Sequence, residues 1–314
     1  MYQAMVNSSS KKKRVAVHGV LLLDKPAGLS SNDALGKAKW LLNAAKAGHT
    51  GTLDPFATGL LPLCFGEATK FAQDLLDADK TYETVVHLGM KTNTGDTEGD
   101  VLETRQVDVT LTQIEEVLQQ FRGDIEQVPP MHSALKRDGK PLYEYARAGI
   151  TLEREARQIT IHQLDLIAYE APMLTLRVRC SKGTYIRVLG EDIGAALGCG
   201  AHLNALRRVT VGGLTIAEAK TIEQLSEVEA DARAALLAPV DALLSSFAKV
   251  ELTDELSSRF RNGQRLALGK EAAINIPAIK GRVAVYRKTD GMLLGTAQLQ
   301  AYDILAPERL VALG

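Results

Sequence analysis

Gly48-His49-Thr50-Gly51-Thr52-Leu53-Asp54-Pro55-Phe56-Ala57-Thr58-Gly59 holds a single carboxylate, Asp54, among glycines and threonines. Pro55 biases the aspartate before it away from helical backbone angles, and the flanking glycines allow positive φ and close approach of another chain. The loop is built to present one acid. Standing alone, an Asp-Pro pair marks no more than a surface turn. Its neighbours decide how it is read.

Asp24-Lys25-Pro26-Ala27-Gly28-Leu29-Ser30-Ser31 follows an apolar run, Gly19 to Asp24, that reads as a buried strand. Ser30 or Ser31 then caps a helix carrying Leu35, Ala38, Leu41 and Leu42 at helical spacing. A second such junction is Cys180-Ser181-Lys182-Gly183-Thr184-Tyr185-Ile186-Arg187. There a strand from Leu174 turns through Gly183 into a helix capped by Thr184, with Tyr185 and Arg187 in its first turn. An arginine at a helix N-terminus faces the unfavourable end of the dipole and needs a carboxylate partner.

Between these landmarks, Leu60 to Phe65 is apolar, Glu67 to Ala78 reads as a helix, and Tyr82 to Leu88 alternates as a strand does. Thr112 with Glu115 predicts a capping box for a helix containing Ile114, Val117, Leu118 and Phe121. Residues 131–157 are polar, basic and glycine-marked, with a short helical piece near Tyr143 to Arg147. Beyond about Ser246 the pattern becomes a helix, Asp254 to Arg261, and two β-like runs around Asp290-Gly291. That is a small β-rich module.

Composition sets the limits. The chain has 314 residues, long enough for one large domain and a small one, with helix and strand patterns interleaved as in a mixed α/β fold. A net charge of −1 does not announce a nucleic-acid binder, but Met131 to Gly190 carries ten basic residues against six acidic, so a basic face is compatible with a neutral total. Cys64, Cys180 and Cys199 are far apart, and the six histidines form no ligand motif, so neither a disulfide framework nor a metal site is expected. No apolar run reaches the length of a membrane span, and a cytoplasmic protein is expected. Residues 1 to about 15 read as a disordered arm.

The Asp54 loop, the Lys25 and Arg187 junctions, Lys80-Thr81-Tyr82 and Val128-Pro129-Pro130-Met131-His132-Ser133-Ala134-Leu135-Lys136 together, in this order, closely resemble the bacterial TruB family, the tRNA pseudouridine(55) synthases. The resemblance runs from about Gly19 to Arg208. It implies a catalytic domain over residues 16–246 on a mixed, largely antiparallel sheet. A mobile RNA-binding thumb near 130–158 and a PUA-like domain over 247–314 complete the expected organisation.

It also implies that the uridine of the tRNA T-arm is flipped out of its stack and isomerised. Its C1′–N1 bond breaks, the base turns and rejoins through C5, and the C5 proton leaves. The product keeps every atom of the substrate, so no cofactor is expected, and no GxGxxG or P-loop fingerprint is present.

Asp54 matches the family's catalytic aspartate, acting as nucleophile or electrostatic stabiliser by attack at C1′, attack at C6, or support of a glycal. Tyr82 supplies a ring to stack on uracil and a hydroxyl to relay a proton, and Arg187 holds Asp54 ionised through paired hydrogen bonds. Leu206 walls the base pocket, Asp96 braces Arg187, and His49 fills space left by displaced bases. Lys25, Pro26 and Tyr185 complete the expected substrate site. Lys136, with Arg137, Lys140 and Arg147, supplies phosphate contacts from the thumb. Tyr82, Arg187, Leu206, Asp96 and His49 each have an ordinary structural use as well. A guide-RNA-dependent synthase, a tRNA-folding chaperone and a glycoside hydrolase with Asp96 as second carboxylate are the rival readings. The preferred one is a monomer that needs no protein partner.

Overall fold

The computed structural model describes residues 13–271, 274–278 and 280–312. Most of the expected N-terminal arm lies outside them. Residues 13–15 run beside the end of the first helix, where Val15 donates its N–H to Asn43 O at 2.9 Å.

The apolar run forms β1 (Gly19–Lys25), and Ser30 caps α1 (Ser31–Leu41) by accepting from Asp33 N at 3.1 Å. β2 (Ala47–His49) and β3 (Thr58–Phe65) enclose the Asp54 loop. The helix read over 67–78 is instead a 3-10 turn at Gly66–Lys70 and a short α2 (Ala72–Leu76). Phe71, at φ −107° and fully buried, interrupts them by turning its ring into the core.

β4 (Lys80–Leu88), β5 (Met90–Thr92) and β6 (Val101–Thr104) follow. α3 (Leu111–Gln120) starts earlier than the Thr112 and Glu115 pair suggests, because the same signature occurs two residues upstream. Thr110 and Gln113 make the capping box there.

Next come β7 (Gly123–Gln127), a hairpin of β8 (Lys136–Arg137) and β9 (Lys140–Pro141), and α4 (Leu142–Arg147). β10 (Arg157–Glu170) and β11 (Met173–Cys180) lead to α5 (Ile186–Ala196). Its N-cap residue is Tyr185, not Thr184: the Thr184 hydroxyl donates back to Ser181 O at 2.9 Å, so the helix begins without a side-chain cap. Tyr185 therefore stands just outside the first turn that carries Arg187. β12 (Ala201–Val211), β13 (Leu214–Thr215) and α6 (Ile222–Glu227) follow.

The remaining elements are β14 (Ala248–Leu252), α7 (Asp254–Arg261), β15 (Leu266–Ala267), β16 (Gly281–Arg287), β17 (Leu293–Leu299) and β18 (Ile304–Leu310). They form a five-stranded sheet ordered β14-β16-β17-β18-β15.

The large sheet runs β1-β3-β12-β4-β11-β10-β7, with β2 beside β3 and β13 beside β12. Every neighbouring pair is antiparallel except β3 with β12, where Arg207 and Arg208 lie opposite Thr58 and Gly59. Gly59, at φ +102°, permits this contact, since a Cβ there would come within 2.3 Å of Arg208 O. The one parallel ladder thus ties the C-terminal end of the Asp54 loop to the strand bearing Leu206 and Arg208.

The alternation of β1 and β3 builds two cores. Leu21, Leu23, Leu61 and Leu63 face one side with Val86, Leu189 and Leu203, while Val20, Leu22, Leu60 and Cys64 face the other. The second face is covered by Phe71 and Leu75 and by Ala284 and Tyr286 of the C-terminal sheet. A buried leucine contributes about 1.5–3 kcal/mol, so the C-terminal sheet shares in the catalytic domain's stability.

Candidate active site

The site lies where β4 begins, between the Asp54 loop and the start of α5. Arg187 leaves the first turn of α5 nearly buried, and Nε reaches Asp54 Oδ2 at 2.9 Å. Its Nη1 stands 3.5 Å from Asp96 Oδ2 and donates to Thr94 O at 2.8 Å, while Nη2 donates to His132 O at 2.6 Å. The guanidinium is fixed on all sides. Asp96 is equally fixed: its Oδ1 accepts from Thr94 Oγ1 and from Glu98 N.

Asp54 differs, because 35% of its side chain stays open. Burial raises its pKa above the usual aspartate value and nearby Asp96 adds to this, while Arg187 pulls it back. One guanidinium between two carboxylates leaves an anion in excess, and Asp54 is the carboxylate that faces the opening.

That opening is a cavity of ≈ 260 Å³ lined by Asp54, Tyr82, Tyr185, Arg187, Leu206 and Arg208, among others. Tyr82 projects from β4 onto its buried face, and burial raises its phenol's pKa. Burial does the same to Tyr185, whose backbone N–H is held by Gln127 Oε1 at 3.0 Å. Leu206 is 7% exposed and supplies an apolar wall. A flat base fits between an aromatic ring and an aliphatic wall, with Asp54 at its edge.

A wider cavity of ≈ 550 Å³ opens on the other side of Asp54. His49, Lys136, Tyr143 and Arg147 line it, so the hairpin and α4 lean over the acid. His49 carries a buried Nδ1 without a partner, and burial, with help from Arg208, lowers its pKa.

Lys25 and Pro26 stand behind the Asp54 loop rather than in either cavity. Lys25 is fully buried, and its ammonium donates to Pro26 O at 2.8 Å, Leu29 O at 2.7 Å and Pro55 O at 3.3 Å. Burial lowers its pKa to about 8. Its part is to pin the loop.

Three participants escape a reading of the sequence. Arg208 and Lys80 line the smaller cavity, and Glu98 lines the larger one, its pKa raised by burial and by Asp96 and Asp54. The single parallel ladder brings Arg208 in, and no local spacing announces such a pairing. Among the described residues no group of three or more His, Cys, Asp or Glu could hold a metal ion.

Known proteins resemble the chain along its whole length. Residues 39–186 match the TruB family pseudouridylate synthase (N terminal domain), and residues 187–245 match the tRNA pseudouridylate synthase B C-terminal domain. Residues 248–311 match the pseudouridine synthase II TruB C-terminal family. A tRNA pseudouridine synthase B of Ralstonia pickettii is 59% identical over 100% of both chains. One of Burkholderia mallei is 60% identical over 98% of this chain and 99% of its own.

Among solved structures, a chain of a Cbf5-Nop10-Gar1 complex superposes with a TM-score of 0.74 at 27% identity, covering 94% of this chain and 85% of that one. A chain of an H/ACA RNP bound to a substrate RNA containing 2′-deoxyuridine gives 0.73 at 25% identity, covering 93% and 84%.

Proposed function

The chain belongs to the TruB family of pseudouridylate synthases, isomerases that act on tRNA, and we propose that it converts the uridine at position 55 of the tRNA T-arm to pseudouridine with Asp54 as the catalytic aspartate. The observation that carries this reading is the half-open Asp54 carboxylate, held at 2.9 Å by a buried arginine at the edge of a cavity with Tyr82 and Leu206 on its walls.

A uridine in a folded tRNA arm is stacked, and flipping it costs a few kcal/mol before any chemistry. The cavity receives the extruded base against Tyr82 and Leu206. His49, whose buried Nδ1 has no hydrogen-bond partner among the described residues, stands in the wider cavity beside the acid. Lys136, Arg137, Lys140 and Arg147 on the hairpin and α4, the thumb of this reading, draw in the phosphate backbone.

Asp54 then acts from one edge, whichever atom it addresses. The C1′–N1 bond breaks with its electron pair going to N1, the uracil turns, C5 bonds to C1′ and gives up its proton, and N1 takes up a proton, so that the product is an isomer of the substrate. Tyr82 is placed to donate or accept a proton at the base. Arg187 keeps Asp54 anionic and aimed, and Asp96 keeps Arg187 in place. Residues 16–246 form the catalytic part of this reading and 247–314 an RNA-contacting, PUA-like part.

The structural likeness to a Cbf5 chain, solved within complexes, favours a second reading, a synthase that works only with an RNA guide and partner proteins. Full-length identity near 60% to proteins named tRNA pseudouridine synthase B supports tRNA as the substrate, and a monomer that needs neither is the reading preferred here. Three buried, unpaired cysteines support work in a reducing cytoplasm. Purified protein incubated with unmodified tRNA and no guide RNA tests the proposal. Pseudouridine at position 55 is the expected product; its absence, with activity appearing on addition of a guide, selects the second reading.

A further inference from the structure

Arg208 is 1% exposed, yet among the described residues no carboxylate pairs with it. Its Nε donates to Leu60 O at 2.8 Å and its Nη2 to Gly51 O at 3.2 Å. A buried charge without a counter-ion costs several kcal/mol, so carbonyls alone are a poor reason to keep it there. Arg207, the next residue, turns to the other face and meets Asp24 through two bonds, at 3.1 and 2.7 Å. A nearby residue is thus paired in the ordinary way.

The sheet register shows what Arg208 faces. Across the antiparallel pair of β12 and β4, Arg208 lies directly opposite Tyr82, and directly opposed residues project to the same face. Both line the smaller cavity. Leu60 O and Gly51 O hold the Arg208 Nε and Nη2. A guanidinium is a donor only, so in any hydrogen bond between it and Tyr82 the phenol oxygen is the acceptor. The phenol's own proton then points elsewhere.

We propose that Arg208 is the positioning residue for Tyr82: clamped to the Asp54 loop through Gly51 O and to β3 through Leu60 O, it occupies the acceptor side of the phenol and directs the Tyr82 proton into the cavity. The inference rests on the reading of that cavity as the uridine site. There Tyr82 meets the substrate as a hydrogen-bond donor, aimed at an oxygen of the base on which charge collects when the C1′–N1 bond opens. Because one cation touches both the Asp54 loop and Tyr82, it also sets the distance between acid and phenol. Arg187 orients the acid, and Arg208 orients its partner.

The test reads the phenol directly. 3,5-Difluorotyrosine placed at position 82 of the full chain titrates at lower pH than tyrosine and is followed by absorbance and fluorine NMR without RNA. The titratable or charged groups around it are Arg208 from β12, Cys180 from β11, Asp54 from its loop, Tyr185 and Arg187 from the start of α5 and Lys80 from its own strand. Of these Arg208 is the one altered. A cation favours the phenolate, so Arg208→Gln raises the pKa of the residue at 82 by about one unit or more, and Arg208→Lys, which keeps the charge on a different stem, raises it less.

An unchanged value in Arg208→Gln, or equal rises in both variants, overturns the proposal, the second by tracing the effect to the loop rather than the charge. If Arg208→Gln does not fold, Arg208→Lys alone carries the test, and an unchanged value again overturns it. Single-turnover assays on unmodified tRNA accompany the titration. With natural Tyr82, Arg208→Gln is expected to lose about 10²-fold in rate with tRNA affinity kept within a few-fold. A parent enzyme that makes no pseudouridine would sink the functional reading and leave the titration result standing.

Discussion

Two ionic clusters in this protein combine arginine and carboxylate in different ways. At the site one guanidinium, Arg187, serves two carboxylates, Asp54 and Asp96. At the seam between the large sheet and the C-terminal sheet one carboxylate, Asp74 of α2, serves two guanidiniums, Arg282 and Arg309. Arg282 also reaches Glu308 at 2.6 Å. Burial raises the pKa of both Asp54 and Asp74, and the arginines oppose it in both.

The difference lies in what remains over. The site keeps a spare anion, 35% open to the cavity, whereas the Asp74 side chain is 1% exposed and fully engaged. A carboxylate left partly open makes a reactive group; one held between two arginines makes a clamp.

The largest effect should follow from removing the spare anion. Asp54→Asn keeps the shape and is expected to cut single-turnover pseudouridine formation by at least about 10³-fold while tRNA binding persists. Near-parental turnover would end the assignment of Asp54. Its stability effect has the opposite sign. A carboxyl whose folded pKa is raised weakens the fold as pH climbs through its titration, and Arg187 retains Asp96 in the variant, so the unfolding midpoint at pH 7 should rise.

At the seam Asp74→Ala removes the acceptor oxygens that Arg282 and Arg309 share, along with the charge. It should cost about 1–3 kcal/mol in denaturant unfolding with little loss of saturated turnover. A gain in stability there would dissolve the contrast between the two clusters.

Within the site the pH dependence separates the two neighbours of Asp54. If turnover needs the anion, it falls as pH drops through the Asp54 pKa, which lies above the ordinary aspartate value. Arg187 lowers that pKa and Asp96 raises it. Arg187→Gln should therefore move the acid limb of the single-turnover profile to higher pH, and Asp96→Asn should move it lower. Shifts in the same direction would mean that the two act through geometry rather than charge.

How much of this the chain discloses by itself depends on the range of the interaction. β1, α1, β4 and the hairpin at Asp290-Gly291 are legible because spacing, caps and turn residues act within a few positions. The same local rules misplace the start of α3 and join the Gly66–Lys70 turn to α2, since two capping signatures overlap and a core phenylalanine overrides helical spacing. Asp54, Tyr82 and Arg187 can be named from motifs. Arg208 cannot, because a parallel ladder across some 148 residues brings it against the loop. Asp74 in a short helix likewise gives no sign that residues 282 and 309 will meet it.

The seam also changes how recognition must be tested. Cutting the chain after Ser246 would appear to separate chemistry from distant RNA contacts, but it would strip Ala284, Tyr286 and Leu293 from the core beneath Val20 and Leu22. Single charges are a cleaner probe, and their effects are the smallest expected here. Lys136 lines the wide cavity beside Asp54, and Lys249 lies exposed on the C-terminal sheet over the Tyr286 ring at 5.1 Å.

Each phosphate contact adds about 0.7–0.9 to the slope of log affinity against log salt. Lys136→Gln should reduce the slope for full tRNA and for an isolated T-arm stem-loop alike, because the contact lies next to the flipped uridine. Lys249→Gln should reduce it for full tRNA only, if the C-terminal sheet reaches nucleotides outside the T-arm. Saturated single-turnover rates should remain within about threefold in both, since a contact made equally in ground and transition states changes binding rather than kcat. A rate loss in Lys249→Gln at saturating tRNA would show that the C-terminal sheet acts on chemistry through the Asp74 clamp and α2, and the separation between reactive cluster and structural clamp would fail.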